Sequence, residues 1–130
     1  MTTRVLYIED NDQNFYLVSF IMSAKGYVVT RAHDGQEGLD LVTREQPDLI
    51  LLDIQLPVMD GYTTARELKK IPELRATPII ALTSYAMAGD REKALEAGCT
   101  GYIEKPINPR TFIEQITQYL QDQSVQGERG

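Results

Sequence analysis

The sequence predicts an α/β fold in which a five-stranded parallel sheet is doubly wound, with helices on both faces. Three observations predict it. Five short apolar runs recur along the 130 residues. Longer segments with helical spacing separate them. The first four runs lack apolar/polar alternation, the pattern of strands covered on both faces. Strands that alternate with helices in this way argue for a parallel sheet joined by right-handed crossovers.

Taken in order, the first run is "VLYI" at 5–8. Phe15, Val18 and Met22 then fall at i, i+3 and i+7 of a helix that Gly26 can end. "YVV" at 27–29 is the second strand, ending on Arg31 and Ala32. A helix over 36–46 starts after "DG" and stops before Pro47. "LILL" at 49–52 is the third strand, and a helix over 61–70 follows it and ends before Pro72. "IIAL" at 79–82 precedes a helix over 88–97 that Gly98 terminates. "YI" at 102–103 is the fifth strand, and Phe112, Ile116, Tyr119 and Leu120 make the stripe of a last helix. One domain over 1–121 is expected, with a flexible polar tail over 122–130, "DQSVQGERG".

Composition narrows the function. The net charge is −6, from 13 basic and 19 acidic residues. An acidic surface argues against nucleic acid as a partner, because phosphate binding rests on clustered Lys and Arg. Cys99 is the single cysteine, so no intramolecular disulfide forms, and a small reduced residue is expected there. No apolar run approaches the roughly 20 residues of a membrane helix, and the N-terminus lacks a signal-peptide layout. A cytoplasmic protein is expected. His33, the only histidine, has no second histidine or cysteine to share a metal with, and reads as a loop residue.

In an open parallel sheet, sites form beyond the C-terminal ends of the strands. Glu9 and Asp10 follow the first run, Asp53 the third, Thr83 and Ser84 the fourth, and Glu104, Lys105 and Pro106 the fifth. The second run delivers no such group. Two carboxylates held about 4 Å apart repel by on the order of 4 kcal/mol at an effective dielectric near 20. A cation relieves this, and a few hard oxygen ligands suit Mg²⁺. Lys105 suits a phosphoryl oxygen, and Thr83 can donate to another. An aspartate between Mg²⁺ and a lysine is a nucleophile toward phosphorus. Each residue alone has an ordinary role, as a turn residue, a helix cap or a solvated charge. Their convergence on one edge argues for a site.

These motifs resemble the receiver domain of bacterial response regulators over roughly residues 4 to 120. The matches are "YIEDN" (7–11), "AHDGQEGL" (32–39), "PDLILLDIQLPVMDGY" (47–62), "TPIIALTSYA" (77–86) and "AGCTGYIEKPI" (97–107). The resemblance implies a flavodoxin-like three-layer fold with strand order 2-1-3-4-5. It implies that Asp53 accepts a phosphoryl group from a histidine kinase or histidine phosphotransfer protein. Glu9, Asp10, Asp53 and the backbone carbonyl of Gln55 would hold Mg²⁺, with Asp10 a direct ligand and Glu9 acting through water. Lys105 would pair with the phosphoryl group, and its bond to Pro106 would be cis. Thr83 and Tyr102 would form the switch, read by a protein partner on the face of the fourth helix, fifth strand and fifth helix. Gln55 and Tyr85, two past the nucleophile and the switch threonine, would flank the path of hydrolytic water and set the lifetime of the phosphoryl group. Glu9 stands where many members have aspartate.

Three rival readings fit less well. A haloacid-dehalogenase-type phosphatase needs a second acid two residues past the nucleophile, where Gln55 stands. A flavodoxin-like carrier needs a Ser/Thr/Gly-rich loop after the first strand, where "EDNDQN" stands. A receiver kept only for binding would lack some of the acidic, Thr or Lys positions, and all are present. The expected function is therefore a stand-alone, Mg²⁺-dependent phosphorylation switch. The expectation is of no enzyme with a separate substrate, and no nucleic-acid or membrane partner.

Overall fold

Leu49–Asp53 forms a strand buried at all five positions. It is β3 of a computed structural model that describes residues 2–84 and 89–129, with side chains through residue 121. Around it lie β1 (Arg4–Ile8), β2 (Val28–Ala32), β4 (Ile79–Thr83) and β5 (Gly101–Glu104). All pairs are parallel, in the order β2-β1-β3-β4-β5. The helices are α1 (Asp12–Ser23), α2 (Gly35–Glu45), α3 (Gly61–Lys69), α4 (Asp90–Glu96) and α5 (Pro109–Arg129), with a 3₁₀ turn at Pro72–Leu74. This is the flavodoxin-like α/β/α arrangement expected from the sequence.

Successive side chains point to opposite faces of a strand. Val5, Tyr7, Leu49, Leu51, Leu82 and Ile103 therefore pack on one face, with Val18 and Met22 of α1 and Phe112 and Ile116 of α5. Leu6, Ile8, Ile50, Leu52, Ile79 and Ala81 pack on the other, with Val42, Ala65, Leu68 and Ala94 of α2, α3 and α4. Each buried Leu or Ile contributes about 1.5–3 kcal/mol. That gain keeps β3 and β4 apolar until their last residues.

The second strand departs from expectation. It runs Val28–Ala32, so Tyr27 precedes it, and it is only half-buried, with Val28 49% exposed. The strand order supplies the reason, since β2 is an edge and neither face is fully covered. α4 begins at Asp90, and residues 85–88, Tyr85 among them, lie outside the described residues. The backbone of α5 continues past residue 121 to Arg129, through a stretch with no proline and several good helix formers.

Asn11, Asp34 and Asp60 cap α1, α2 and α3, their side chains accepting from the amides of Asn14, Glu37 and Thr63. Such caps contribute about 1 kcal/mol each. Gly98, with φ +105°, follows α4 in a left-handed conformation that a side chain would resist. β1 leads to β2 on one side, and the chain then returns past β1 to β3. The loops leaving β1 and β3 diverge, and a crevice opens at their C-terminal ends. Among the described residues, no helix is long and apolar enough to cross a membrane.

Candidate functional site

Asp53 is the last residue of β3 and shares its face with Leu49 and Leu51. It is 4% exposed, and its Oδ1 accepts from the Gln55 amide at 3.0 Å. Glu9, one residue past β1, is fully buried, while Asp10 is exposed. One carboxylate oxygen from each of Glu9, Asp10 and Asp53 lies within 4.8 Å of the others. Three hard, anionic oxygens at this spacing, one open to solvent, fit a hard divalent cation.

Lys105 follows β5 and reaches into the same cluster. Its Nζ lies 3.1 Å from Glu9 Oε1 and 3.5 Å from Asp53 Oδ2, and its side chain is only 11% exposed. The Lys105–Pro106 peptide is cis. Two further residues hold Glu9, and neither was expected from the sequence. The Tyr7 hydroxyl donates to Glu9 Oε1 at 3.1 Å. Arg31 Nε donates to the Glu9 carbonyl at 3.0 Å, and its Nη1 pairs with Asp12 at 2.8 Å. Arg31 also lies over the Phe15 ring, 4.8 Å from its centroid. The second strand thus does contribute to this edge, through a side chain that returns to the loop after β1. A signal for Tyr7 was present, because residues 7 and 9 share a face by strand alternation.

Crowding shapes the charges. Burial raises Asp53, to about 7, and Glu9 adds to the shift, while the Gln55 amide and Lys105 oppose it. Burial also raises Glu9, but its hydrogen bonds with Asp53, Lys105 and Tyr7 and the Lys105 charge outweigh that and hold it below the ordinary range. Within the pair, crowding thus raises Asp53 and lowers Glu9. Burial, and next the Glu9 charge, push the Tyr7 phenol far above its usual range, so it stays a donor.

Thr83 ends β4 and is buried. Its side chain hydrogen-bonds Tyr102 of β5, which also packs against the cluster under α2, α3 and α4. Thr83 and Tyr102 thus connect the edge to the face opposite Glu9 and Asp53. Gln55 is exposed beside Asp53. His33 is an exposed loop residue paired with Glu37 at 3.2 Å. Cys99 is buried, and burial pushes its thiol up to about 12, so it is an inert core residue.

A family model described as response regulator receiver domain matches residues 5–117. The chain is 46% identical over 122 residues to the polar-differentiation response regulator DivK of Brucella ovis, covering 94% of this chain and 99% of that one. A CheY-like receiver domain protein from Methanospirillum hungatei superposes with a TM-score of 0.89 at 31% identity, covering 97% and 99% of the two chains. The receiver domain of a sensor histidine kinase from Pseudomonas aeruginosa gives 0.85 at 35% identity, covering 92% and 98%. That domain was solved with a magnesium ion coordinated in its active site cleft.

Proposed function

The chain belongs to the response regulator receiver domain family, and from that premise we propose that it is a switch driven by phosphorylation of Asp53. The observation that carries the reading is the meeting of three carboxylates and one lysine at the ends of β1, β3 and β5. The phosphodonor is a phosphohistidine of a kinase or phosphotransfer protein. A carboxylate oxygen of Asp53 attacks phosphorus, an O–P bond forms, and the P–N bond breaks with its electron pair left on the imidazole nitrogen. The β3 terminus fixes the nucleophile, and the Gln55 amide orients it. Lys105 turns from Glu9 and Asp53 toward the equatorial phosphoryl oxygens. Catalysis of this kind is largely positioning and electrostatics.

Asp10, Asp53, Glu9 and the Gln55 carbonyl would hold Mg²⁺, which would supply positive charge offsetting the carboxylates and the phosphoryl oxygens. Thr83 then donates to the phosphoryl group, its bond to Tyr102 is exchanged, and Tyr102 moves. A groove of about 440 Å³ lined by Arg91, Tyr102, Glu104 and Asn108, among others, lies where a protein partner would read that change. Gln55, exposed beside Asp53, sets the lifetime of the phosphoryl group together with Tyr85, which lies outside the described residues.

Beryllofluoride, a phosphoryl mimic, tests the reading. With Mg²⁺ it is expected to bind the parent tightly at one site and not to bind Asp53→Asn. No binding by the parent, or equal binding by the variant, would overturn the proposal.

A further inference from the structure

Tyr7 occupies a position where an apolar residue would suffice. It is fully buried on the apolar face of β1, among Val5, Leu49 and Leu51, and its ring stacks on Phe15 at 5.8 Å. A buried phenol needs a partner for its hydroxyl, and the partner is a carboxylate of the acidic cluster.

Glu9 Oε1 is doubly engaged, by the Tyr7 hydroxyl and by Lys105 Nζ, each at 3.1 Å. Its Oε2 has a long hydrogen bond, 3.5 Å, from the Asn11 amide. The Glu9 carbonyl is fixed separately by Arg31. The two ends of the residue are therefore held by different elements. The side chain is held from β1 itself, by Tyr7 two residues back, and by Lys105 after β5, and the main chain is held by β2. If Lys105 turns toward a phosphoryl group, Tyr7 is the donor that remains on Oε1.

We propose that Tyr7 is a positioning residue for the acidic site: its hydroxyl holds the Glu9 carboxylate in place for the cation and keeps Oε1 hydrogen-bonded when Lys105 leaves it. The proposal rests on the function proposed above. It also accounts for the pairing of tyrosine with glutamate. Glutamate has one more methylene than aspartate, and that reach brings Oε1 to the phenol. An aspartate at position 9 would fall short of it.

The test is a cycle of Tyr7→Phe, Glu9→Asp and the double variant, read as the Mg²⁺ dissociation constant of each purified protein. Tyr7→Phe keeps the ring and its stack on Phe15. Its metal-free melting midpoint is measured alongside to check that the fold is retained. The expected result is an affinity about tenfold weaker in Tyr7→Phe, the lower end of what losing an outer partner of a metal-binding group costs. In the Glu9→Asp background the same change should have less than about a twofold effect. An unchanged affinity in Tyr7→Phe would overturn the proposal, and so would an equal loss in both backgrounds, which would make Tyr7 a packing residue. Asp10→Ala separates this from the wider reading. If Asp10→Ala abolishes Mg²⁺ binding while Tyr7→Phe leaves it intact, only the role of Tyr7 fails. If the parent binds no Mg²⁺, both readings fail.

Discussion

Lys69 and Lys105 sit at opposite ends of the sheet, and they are held by opposite kinds of group. Lys69 ends α3, and its Nζ donates to three main-chain carbonyls, those of Leu74, Arg75 and Thr77, at 3.0–3.5 Å. Lys105 follows β5 and faces two carboxylates. Neutral carbonyls in a loop before β4 are structural partners with nothing to compete for the lysine. Buried carboxylates beside an exposed Asp10 are different, since under the proposed function a cation and a phosphoryl group would compete for those contacts. One lysine is built to remain where it is. The other, under the proposed function, would be drawn away.

Exchanging each lysine for methionine is the sharpest way to break that comparison. Lys105→Met should slow phosphoryl uptake from a small donor by roughly tenfold to a hundredfold, since a charge directed at the transferring group is lost. Lys69→Met should leave uptake within about twofold. The reverse holds for stability. Losing the donor shared by three carbonyls should cost about 1–3 kcal/mol, readable as a fall of roughly 4 °C per kcal/mol in the melting midpoint. If Lys69→Met impaired uptake as strongly as Lys105→Met, the division between the two ends would be wrong.

A smaller effect is expected from pH. Burial and Glu9 raise Asp53 to about 7 in the metal-free protein, above its ordinary value of 3.8. The folded state therefore binds a proton that the unfolded state has released. Its contribution to stability is complete below about pH 4 and is lost as the pH rises through about 7. Metal-free parent should lose a few degrees of melting midpoint over that window relative to Asp53→Asn, which has no proton to lose there. Mg²⁺ should reverse the order at pH 8, because it stabilises the ionised cluster by mass action. A parent and variant with parallel pH profiles would remove the crowding from the account.

The smallest change on uptake is expected at Thr83. Its side chain hydrogen-bonds Tyr102, while its carbonyl accepts from the Lys105 amide at 2.7 Å. Thr83→Ala should accept the phosphoryl group within about twofold of the parent rate. Binding of a partner that discriminates the phosphorylated form should be blunted. A partner response that stays complete in Thr83→Ala would place the coupling elsewhere.

Much of this was legible in the residues. Apolar runs that end on acids, a threonine and a lysine mark strands aimed at one edge, so Glu9, Asp10, Asp53, Thr83 and Lys105 could be named from position alone. Helix limits followed from the Asp34–Gly35 pair, Pro47, Pro72 and Gly98. The half-exposure of β2 was not legible in the periodicity, which does not carry strand order; only the order implied by the resemblance made β2 an edge. Tyr7 was read only as part of an apolar run. Its hydroxyl acquires meaning through a contact with Glu9 that strand alternation permits but does not announce. Arg31 was passed over for a similar reason. It points along β2 toward a loop 22 residues earlier in the chain, and only the pairing of β1 with β2 brings the two together.

The central claim is that Asp53 is the acceptor at this edge. Its most direct test is to incubate the protein with acetyl phosphate and Mg²⁺ and to map the product by mass. The account predicts a single added phosphoryl group on Asp53, dependent on Mg²⁺ and absent from Asp53→Asn. A group that Asp53→Asn gains at the parent's rate, or one that maps to another residue, would contradict it.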